Sequence, residues 1–309
     1  MIALADIRRN FKLDKNKFRL PVKREKLDNY CIVEEIGRGN VSIVYGARTE
    51  EGEKVAIKVL QESFFSHEHT LERFLREFEV AQKIRHPNIT NALDFGVWKD
   101  NPYMVMEFLE GKSLFDYRNI LKGKWGKIKK IVLEVCKGLQ EMHKEGLVHR
   151  DIKPANIIIE NFEGEKEQTK LIDFNLACVA REKRTTLSFA DWISRITAPE
   201  DEIGTPNYSP PQQFRAYECD ASFDTYSLGV MIHFLYKGIL PFFGDTSADT
   251  ITRHSKLPPN LRYFRREGED AIAQLLRKAL SKDSKDRFKD AKEFANAIEG
   301  IEVAERTLI

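Results

Sequence analysis

The stretch HRDIKPAN, residues 149–156, packs an acid, a base and an amide into one short loop. Asp151 can accept a proton from an attacking hydroxyl. Lys153 can neutralise a phosphoryl group in transfer, and Asn156 can offer its amide oxygen to a divalent cation. Further on, KLIDFN sets Asp173 at the end of an apolar run that reads as a buried strand. These groups suit phosphoryl transfer, which asks the protein for positioning and charge neutralisation and for little covalent work. Hard oxygen ligands such as Asn156 and Asp173 suit magnesium, which keeps waters and binds through substrate phosphates. A plain polar turn after a helix would not need all of these residue types together.

The elements that must position these groups can be read from periodicity. Residues 32–60 alternate and are rich in β-branched side chains, which predicts three strands joined by Gly-containing turns. Between residues 67 and 85 the period changes: Leu71, Phe74, Leu75, Phe78 and Ala81 recur at helical spacing, and Pro87 stops the helix. NALDFGVW and YMVMEFLE read as two further strands around the turn at residues 100–102. The first hundred residues are therefore expected to form a small sheet with one helix.

After Gly111 the pattern becomes helical. Ile128, Ile131, Val132, Val135, Cys136, Leu139 and Met142 make one apolar face that ends at Gly146, a C-cap signal. NIIIE and KLIDF read as short strands, and residues 176–205 as a long, hydroxyl-rich loop. The remainder reads as mostly helical, clearest at 271–280 and 291–298. The expected fold class is α+β, with a β-rich small lobe and a larger helical lobe.

Composition narrows the function classes. The chain has 309 residues, 42% of them hydrophobic and 32% charged, enough for two lobes with a core. A net charge of +2 makes no electrostatic case for nucleic acid. The most apolar stretch, 226–243, is interrupted by His233, Lys237, Gly238 and Pro241, so a buried core helix is expected rather than a membrane span. The N-terminus breaks its apolar start too early for a signal peptide. The four cysteines, Cys31, Cys136, Cys178 and Cys219, follow no zinc or redox spacing and are expected to be structural thiols in a reducing, cytoplasmic compartment.

HRDIKPAN resembles the catalytic loop of the eukaryotic-type protein kinases, and the similarity extends over roughly residues 30–300. Lys153, two residues after Asp151, is the serine/threonine style. GTPNYSPPQQFRA and SKDSKDRF are closest in style to bacterial members. The resemblance implies a basic extension over 1–28, a small lobe over 29–107, a large lobe over 108–300 and a tail over 301–309. It implies transfer of the γ-phosphate of ATP, bound between the lobes with Mg2+ or Mn2+, to serine or threonine hydroxyls of proteins, the enzyme itself included.

The resemblance also assigns residues. IGRGNVSIVYG is similar to the glycine-rich loop, with Gly37 and Gly39 letting the backbone lie close over the phosphates and Ile36 also at the nucleotide. Val44 and Ala56 would sandwich adenine, with Ile158 also at the nucleotide. Lys58 would hold the α and β phosphates and Glu77 would hold Lys58, while Glu79 points to another face of the helix. Met106 would gate the back of the pocket, and Glu107 and Leu109 would form the adenine-contacting hinge. Asn156 and Asp173 would hold magnesium. Asp224 would brace the catalytic loop, and Thr205 would contact Asp151 and Lys153.

Several positions depart from the family pattern. Ser42 replaces the third glycine of the loop, and Asn175 stands where the triplet after the strand has glycine. Asn tolerates left-handed backbone angles next best after glycine, so Asn175 is expected to cost about 1 kcal/mol if such angles are needed there. Gln212 stands where a glutamate usually pairs with a late arginine, here Arg287, and Ala81 and Ala92 replace larger apolar residues. None of these changes removes a chemical group.

Two other readings stay open: a catalytically weak scaffold that only binds nucleotide, and a small-molecule kinase on a related fold. Arg150 implies a phosphate acceptor in the loop, with Thr185, Thr186, Ser188, Ser194 and Thr197 as candidates. Glu200 or Asp201 could pair with Arg150 instead, although a solvated acidic turn is the simpler reading. Residues 1–28, with nine Lys/Arg against four Asp/Glu, are expected to be solvated or packed on the small lobe. The chain ends without an anchor or outer sensor, so its signal is expected from a soluble partner, a separate subunit or transient self-association.

Overall fold

Alternation in the first third of the chain produces a sheet, and the computed structural model describes it within residues 19–39, 41–61, 68–180, 205–214 and 219–303. The chain divides into two units, one of residues 1–85 and 89–110 and one of residues 86–88 and 111–309.

The first unit holds six antiparallel strands: β1 Lys26–Leu27, β2 Tyr30–Arg38, β3 Ser42–Arg48, β4 Lys54–Leu60, β5 Ala92–Trp98 and β6 Asn101–Glu107. Their order in the sheet is β1-β2-β3-β4-β6-β5. Leu27, Ile32, Ile43, Tyr45, Val55, Ile57, Val59, Tyr103 and Val105 form one buried cluster. Helix α1, Glu68–Lys83, covers β5 with the face that the sequence pattern marks, burying Phe74, Leu75, Phe78 and Ala81. The rings of Phe74 and Phe78 lie 5.9 and 5.3 Å from that of Phe95. Each buried ring contributes about 1.5–3 kcal/mol from the apolar area it removes from water. Within the basic extension, residues 19–28 are held on this sheet: Leu20 packs against the cluster, and Asn101 Nδ2 donates to the Arg19 carbonyl at 2.6 Å.

The second unit begins with β7, Gly111–Ser113, followed by α2, Arg118–Leu121, and α3, Trp125–Lys144. Then come β8 Leu147–Val148, β9 Ile157–Glu160, β10 Gln168–Leu171 and β11 Cys178–Val179. Four helices complete it: α4 Ser222–Lys237, α5 Ser247–Lys256, α6 Glu269–Ala279 and α7 Ala291–Glu299. Gly146 follows α3 at φ +75°, the left-handed position that ends a helix. Helix α4 is buried on nearly every side, its polar Ser222, Asp224, Thr225, Ser227 and His233 included. No helix among the described residues is long and apolar enough to cross a membrane.

Two sequence expectations are corrected. Residues 176–205 are not loop throughout, because β11 pairs antiparallel with β8. A two-residue strand carries no readable period, so only the pairing reveals it. The four cysteines are not all thiols: Cys178 and Cys219 form a disulfide, while Cys31 and Cys136 are free. The pair lies 41 residues apart in sequence and is joined only by the tertiary fold. Residues 301 and 302 of the tail pack on α3, with Trp125 Nε1 donating to the Ile301 carbonyl at 2.9 Å and Lys129 paired to Glu302.

Candidate active site

In the first unit, strand register builds one face. Val44 lies opposite Lys58 on β4, and Gly46 opposite Ala56. Ala56 in turn lies opposite Met106, and Lys58 opposite Met104. Directly opposed residues of antiparallel strands share a face, so Val44, Ala56, Lys58 and Met106 project together. Gly37 sits opposite Val44, and the turn from β2 to β3 closes with Gly39 N–H donating to the Ser42 carbonyl at 2.9 Å. Gln61 Nε2 holds the Gly39 carbonyl at 2.6 Å. Ser42 is buried, whereas Ile36 is 46% exposed.

Lys58 Nζ donates to both carboxylate oxygens of Glu77, at 2.6 and 2.7 Å, and both residues are buried. The helical face of α1 that packs on the sheet is what brings Glu77 to the strand. Glu77→Gln keeps the shape and removes the charge. It is expected to lower stability by about 2 kcal/mol, the scale of a hydrogen bond to a charged group, read as a shift of the denaturant midpoint. Beyond β6, Asn91 N–H donates to Glu107 Oε1 at 2.8 Å, and Glu107 N–H to the Asn91 carbonyl at 3.1 Å. Leu109 follows in the half-buried segment after this strand.

The second unit assembles the loop after β8. Asp151 accepts from Lys153 Nζ at 2.6 Å and from Asn156 Nδ2 at 2.7 Å on one oxygen, and from Thr205 Oγ1 at 3.0 Å on the other. Lys153 Nζ also donates to Thr205 Oγ1 at 2.8 Å. Acid, ammonium and hydroxyl thus form a closed ring across 54 residues of sequence. Ile158 lies half-buried in β9, opposite Lys170 and Ser113.

Behind the loop, Asp224 is fully buried at the start of α4. Its carboxylate accepts from the amides of His149 and Arg150, both at 2.9 Å, and from His143 Nε2 at 2.9 Å. Burial by itself would raise the Asp224 pKa. The hydrogen bonds from His143 and from the His149 amide outweigh burial and hold it below its ordinary value. His143 Nδ1 accepts from the Ala291 amide at 3.2 Å, so the ring is the neutral tautomer with its proton aimed at Asp224. Gln213 Nε2 donates to the Arg150 carbonyl at 2.9 Å. Neither His143 nor Gln213 stands out in the sequence. His143 lies on the flank of an amphipathic helix, and only the packing of α3 against α4 shows its role.

Asn156 and Asp173 are brought side by side through the backbone, because Ile172 N–H donates to the Asn156 carbonyl at 3.0 Å. The amide nitrogen of Asn156 is spent on Asp151, which leaves Oδ1 for a cation. Among the described residues no cluster of three or more His, Cys, Asp or Glu could hold a metal. A donor set of one amide oxygen and one carboxylate fits a magnesium that takes its other ligands from phosphates and water. The left-handed residue of the DFN triplet is Asp173 itself, at φ +66°; Asn175 has a negative φ, so the conformational cost anticipated for it does not arise. Phe174 is buried against His149, ring centroids 5.3 Å apart.

Gln212 Oε1 accepts from Arg287 Nη2 at 2.7 Å while its Nε2 donates to the Lys282 carbonyl at 2.6 Å. Burial pushes the Arg287 pKa down to about 10, and its Nη1 has no hydrogen-bond partner. Gln212→Ala is therefore expected to cost about 1–3 kcal/mol. Gln212→Glu gives Arg287 a charged partner but takes the donor from the Lys282 carbonyl, so it is expected to lower the thermal midpoint less than Gln212→Ala does. Thermal unfolding of the two variants checks this order. Thr197, with Thr185, Thr186, Ser188, Ser194, Glu200 and Asp201, lies outside the described residues.

The chain is similar to known proteins. The profile described as protein kinase domain matches residues 30–297. Serine/threonine-protein kinase pkn3 of Myxococcus xanthus is 32% identical over 288 residues, covering 90% of this chain and 51% of that protein. Serine/threonine-protein kinase pkn2 of the same organism is 31% identical over 279 residues, 87% of this chain and 32% of its own length. A probable serine/threonine-protein kinase PknB of Lactococcus lactis is 30% identical over 271 residues, 86% and 41% respectively. The chain thus spans about half or less of the length of these relatives.

Proposed function

Because the chain belongs to the protein kinase family, we propose that it transfers the γ-phosphate of ATP to serine and threonine hydroxyls of proteins, its own included. The observation that carries this reading is the Asp151 carboxylate, held at once by Lys153, Thr205 and Asn156. In that ring Asp151 orients the attacking hydroxyl and takes its proton as the oxygen bonds to phosphorus and the bond to the ADP oxygen breaks. Lys153 neutralises charge on the group in transfer. Thr205 ties the segment beyond the loop to this acid, which favours a serine/threonine hydroxyl as acceptor.

Asn156 and Asp173 would hold magnesium, or manganese in its place; when bound, the cation neutralises phosphate charge and fixes the phosphates. Lys58, oriented by Glu77, would hold the α and β phosphates under the backbone of Gly37 and Gly39. Val44, Ala56, Met106, Glu107 and Leu109 would surround the base. Work on ATP and proteins fits a cytoplasmic location. Regulation by a partner or by transient self-association would show as a dependence of autophosphorylation on concentration.

The test is transfer of label from γ-labelled ATP to the protein and to a generic basic protein, followed by phosphoamino acid analysis. Label on serine or threonine supports the reading. ATP binding with no transfer under magnesium or manganese would replace it with a nucleotide-binding scaffold. Turnover of a metabolite without any protein labelling would replace it with a small-molecule kinase.

A further inference from the structure

A disulfide is unusual in a compartment kept reducing. Its place in this fold is specific. Cys178 sits in β11, which pairs with β8 through two residue pairs, Cys178 with Val148 and Val179 with Leu147. Strand β8 runs directly into His149, Arg150 and Asp151. Cys219 lies just ahead of α4, whose Asp224 accepts the amides of His149 and Arg150. The bond therefore joins the two elements that hold the catalytic loop from either side. The segment it encloses carries Thr205, bonded to Asp151 and Lys153, and Gln213, bonded to the Arg150 carbonyl.

Among the described residues the packing around the sulfurs is small, with one further backbone bond, Ala180 N–H to the Gly146 carbonyl at 2.8 Å. The sulfurs belong to a small cluster with Val148 and Phe223, packed by Ala180. A two-residue bridge and four buried side chains make a weak anchor, so a covalent tie there changes the local stability strongly. Both cysteines are buried, so a reagent reaches the sulfurs only when the junction opens locally. A cavity of about 530 Å³ in this unit comes close to them: its wall takes Asp220, next to Cys219, and Ala180, two residues after Cys178. Exposed Lys285, Lys289 and Lys292 stand around the same cavity and favour an anionic visitor.

We propose that Cys178–Cys219 is a thiol–disulfide exchange site for small anionic thiols, and that its oxidised form is the one in which the catalytic loop is held ready. A thiolate attacks one sulfur, forms a mixed disulfide and releases the other cysteine as a thiolate that takes a proton from water. A second thiol attacks the mixed disulfide and releases the second cysteine. In sum, one protein disulfide and two small thiols become a protein dithiol and one small disulfide; a small disulfide drives the reverse.

The coupling to transfer rests on the proposed kinase activity, but the exchange and its effect on the loop do not. The experiment equilibrates the folded full chain in glutathione buffers from oxidising to reducing and traps thiols with an alkylating reagent after denaturation. Two labels are expected on the oxidised protein, on Cys31 and Cys136, and four on the reduced one. On the same samples, hydrogen exchange of the peptide spanning 147–151 is expected to quicken on reduction, and phosphate transfer to fall several-fold and recover on reoxidation. Cys178→Ser with Cys219→Ser is expected to abolish the response, and Cys31→Ser to leave it intact.

Four labels under every buffer, or two that persist in reducing glutathione, would overturn the proposal, the second by making the bond a fixed staple. Exchange with unchanged hydrogen exchange would overturn the coupling to the loop. Absence of transfer in both forms would count against the kinase reading alone, since the labels and hydrogen exchange still decide this one.

Discussion

Asp151→Asn is expected to lower the rate of phosphate transfer by roughly a hundred- to ten-thousand-fold, the range that a general base supplies. The substitution keeps the shape of a side chain that is 6% exposed, so the fold survives it. What changes is chemical. The carboxylate accepts from Lys153, Asn156 and Thr205 on its two oxygens. An amide has one oxygen, so either the Lys153 and Asn156 side or the Thr205 side loses its acceptor. The amide also cannot take a proton from the attacking hydroxyl. The loss should therefore fall on kcat, with little change in KM for ATP, whose proposed ligands lie elsewhere. Steady-state transfer from labelled ATP, beside the thermal midpoint of each protein, measures this. A variant that transfers at the parent rate would remove Asp151 from the reaction.

Asp224→Ala is expected to cost about 3–5 kcal/mol of stability, the scale of removing one member of a buried polar pair. Three donors lose their acceptor at once: the amides of His149 and Arg150, and His143 Nε2. The two amides cannot turn to water, because Asp224 and His149 are fully buried and Arg150 is 5% exposed. Asp224→Asn should cost less, since one oxygen remains to accept, but its NH2 must face a donor.

The same carboxylate gives stability a pH dependence. Its folded pKa lies below the unfolded value of 3.8, so its contribution is complete above that value and is lost as pH falls through the lower folded value. The acid limb of the unfolding curve should flatten in Asp224→Asn. Asp224 acts on catalysis through the loop and touches no substrate, so it is a positioning residue. Its asparagine variant should lose kcat while retaining the same dependence on the acceptor hydroxyl. Denaturant unfolding as a function of pH, with kcat alongside, tests both parts; an unchanged acid limb would contradict the role assigned to this carboxylate.

The sequence by itself determined the architecture of each unit, because long periodic segments state which face they bury. The alternation of residues 32–60 could only make β2, β3 and β4, and the spacing of Phe74, Leu75 and Phe78 could only make the buried face of α1. It also put Asp151, Lys153 and Asn156 in one loop, since they are close in the chain. Periodicity could not state relations made by packing between distant segments. Lys58 with Glu77 and Thr205 with Asp151, the latter 54 residues apart, were implied only by the family resemblance, and His143, which reaches Asp224 across 81 residues, came from the fold alone. The two-residue strands β8 and β11 have no period to read, so their pairing waited for the fold. Cys178 and Cys219 look like unrelated thiols until that pairing and the start of α4 bring them together. The backbone of the DFN triplet was likewise decided by its surroundings: the left-handed strain falls on Asp173, where the burial of Phe174 against His149 turns the chain, and not on the unusual Asn175. Local pattern fixes elements because each residue's burial repeats along one segment, whereas a site joins single residues from several segments, and only tertiary contact sets those distances.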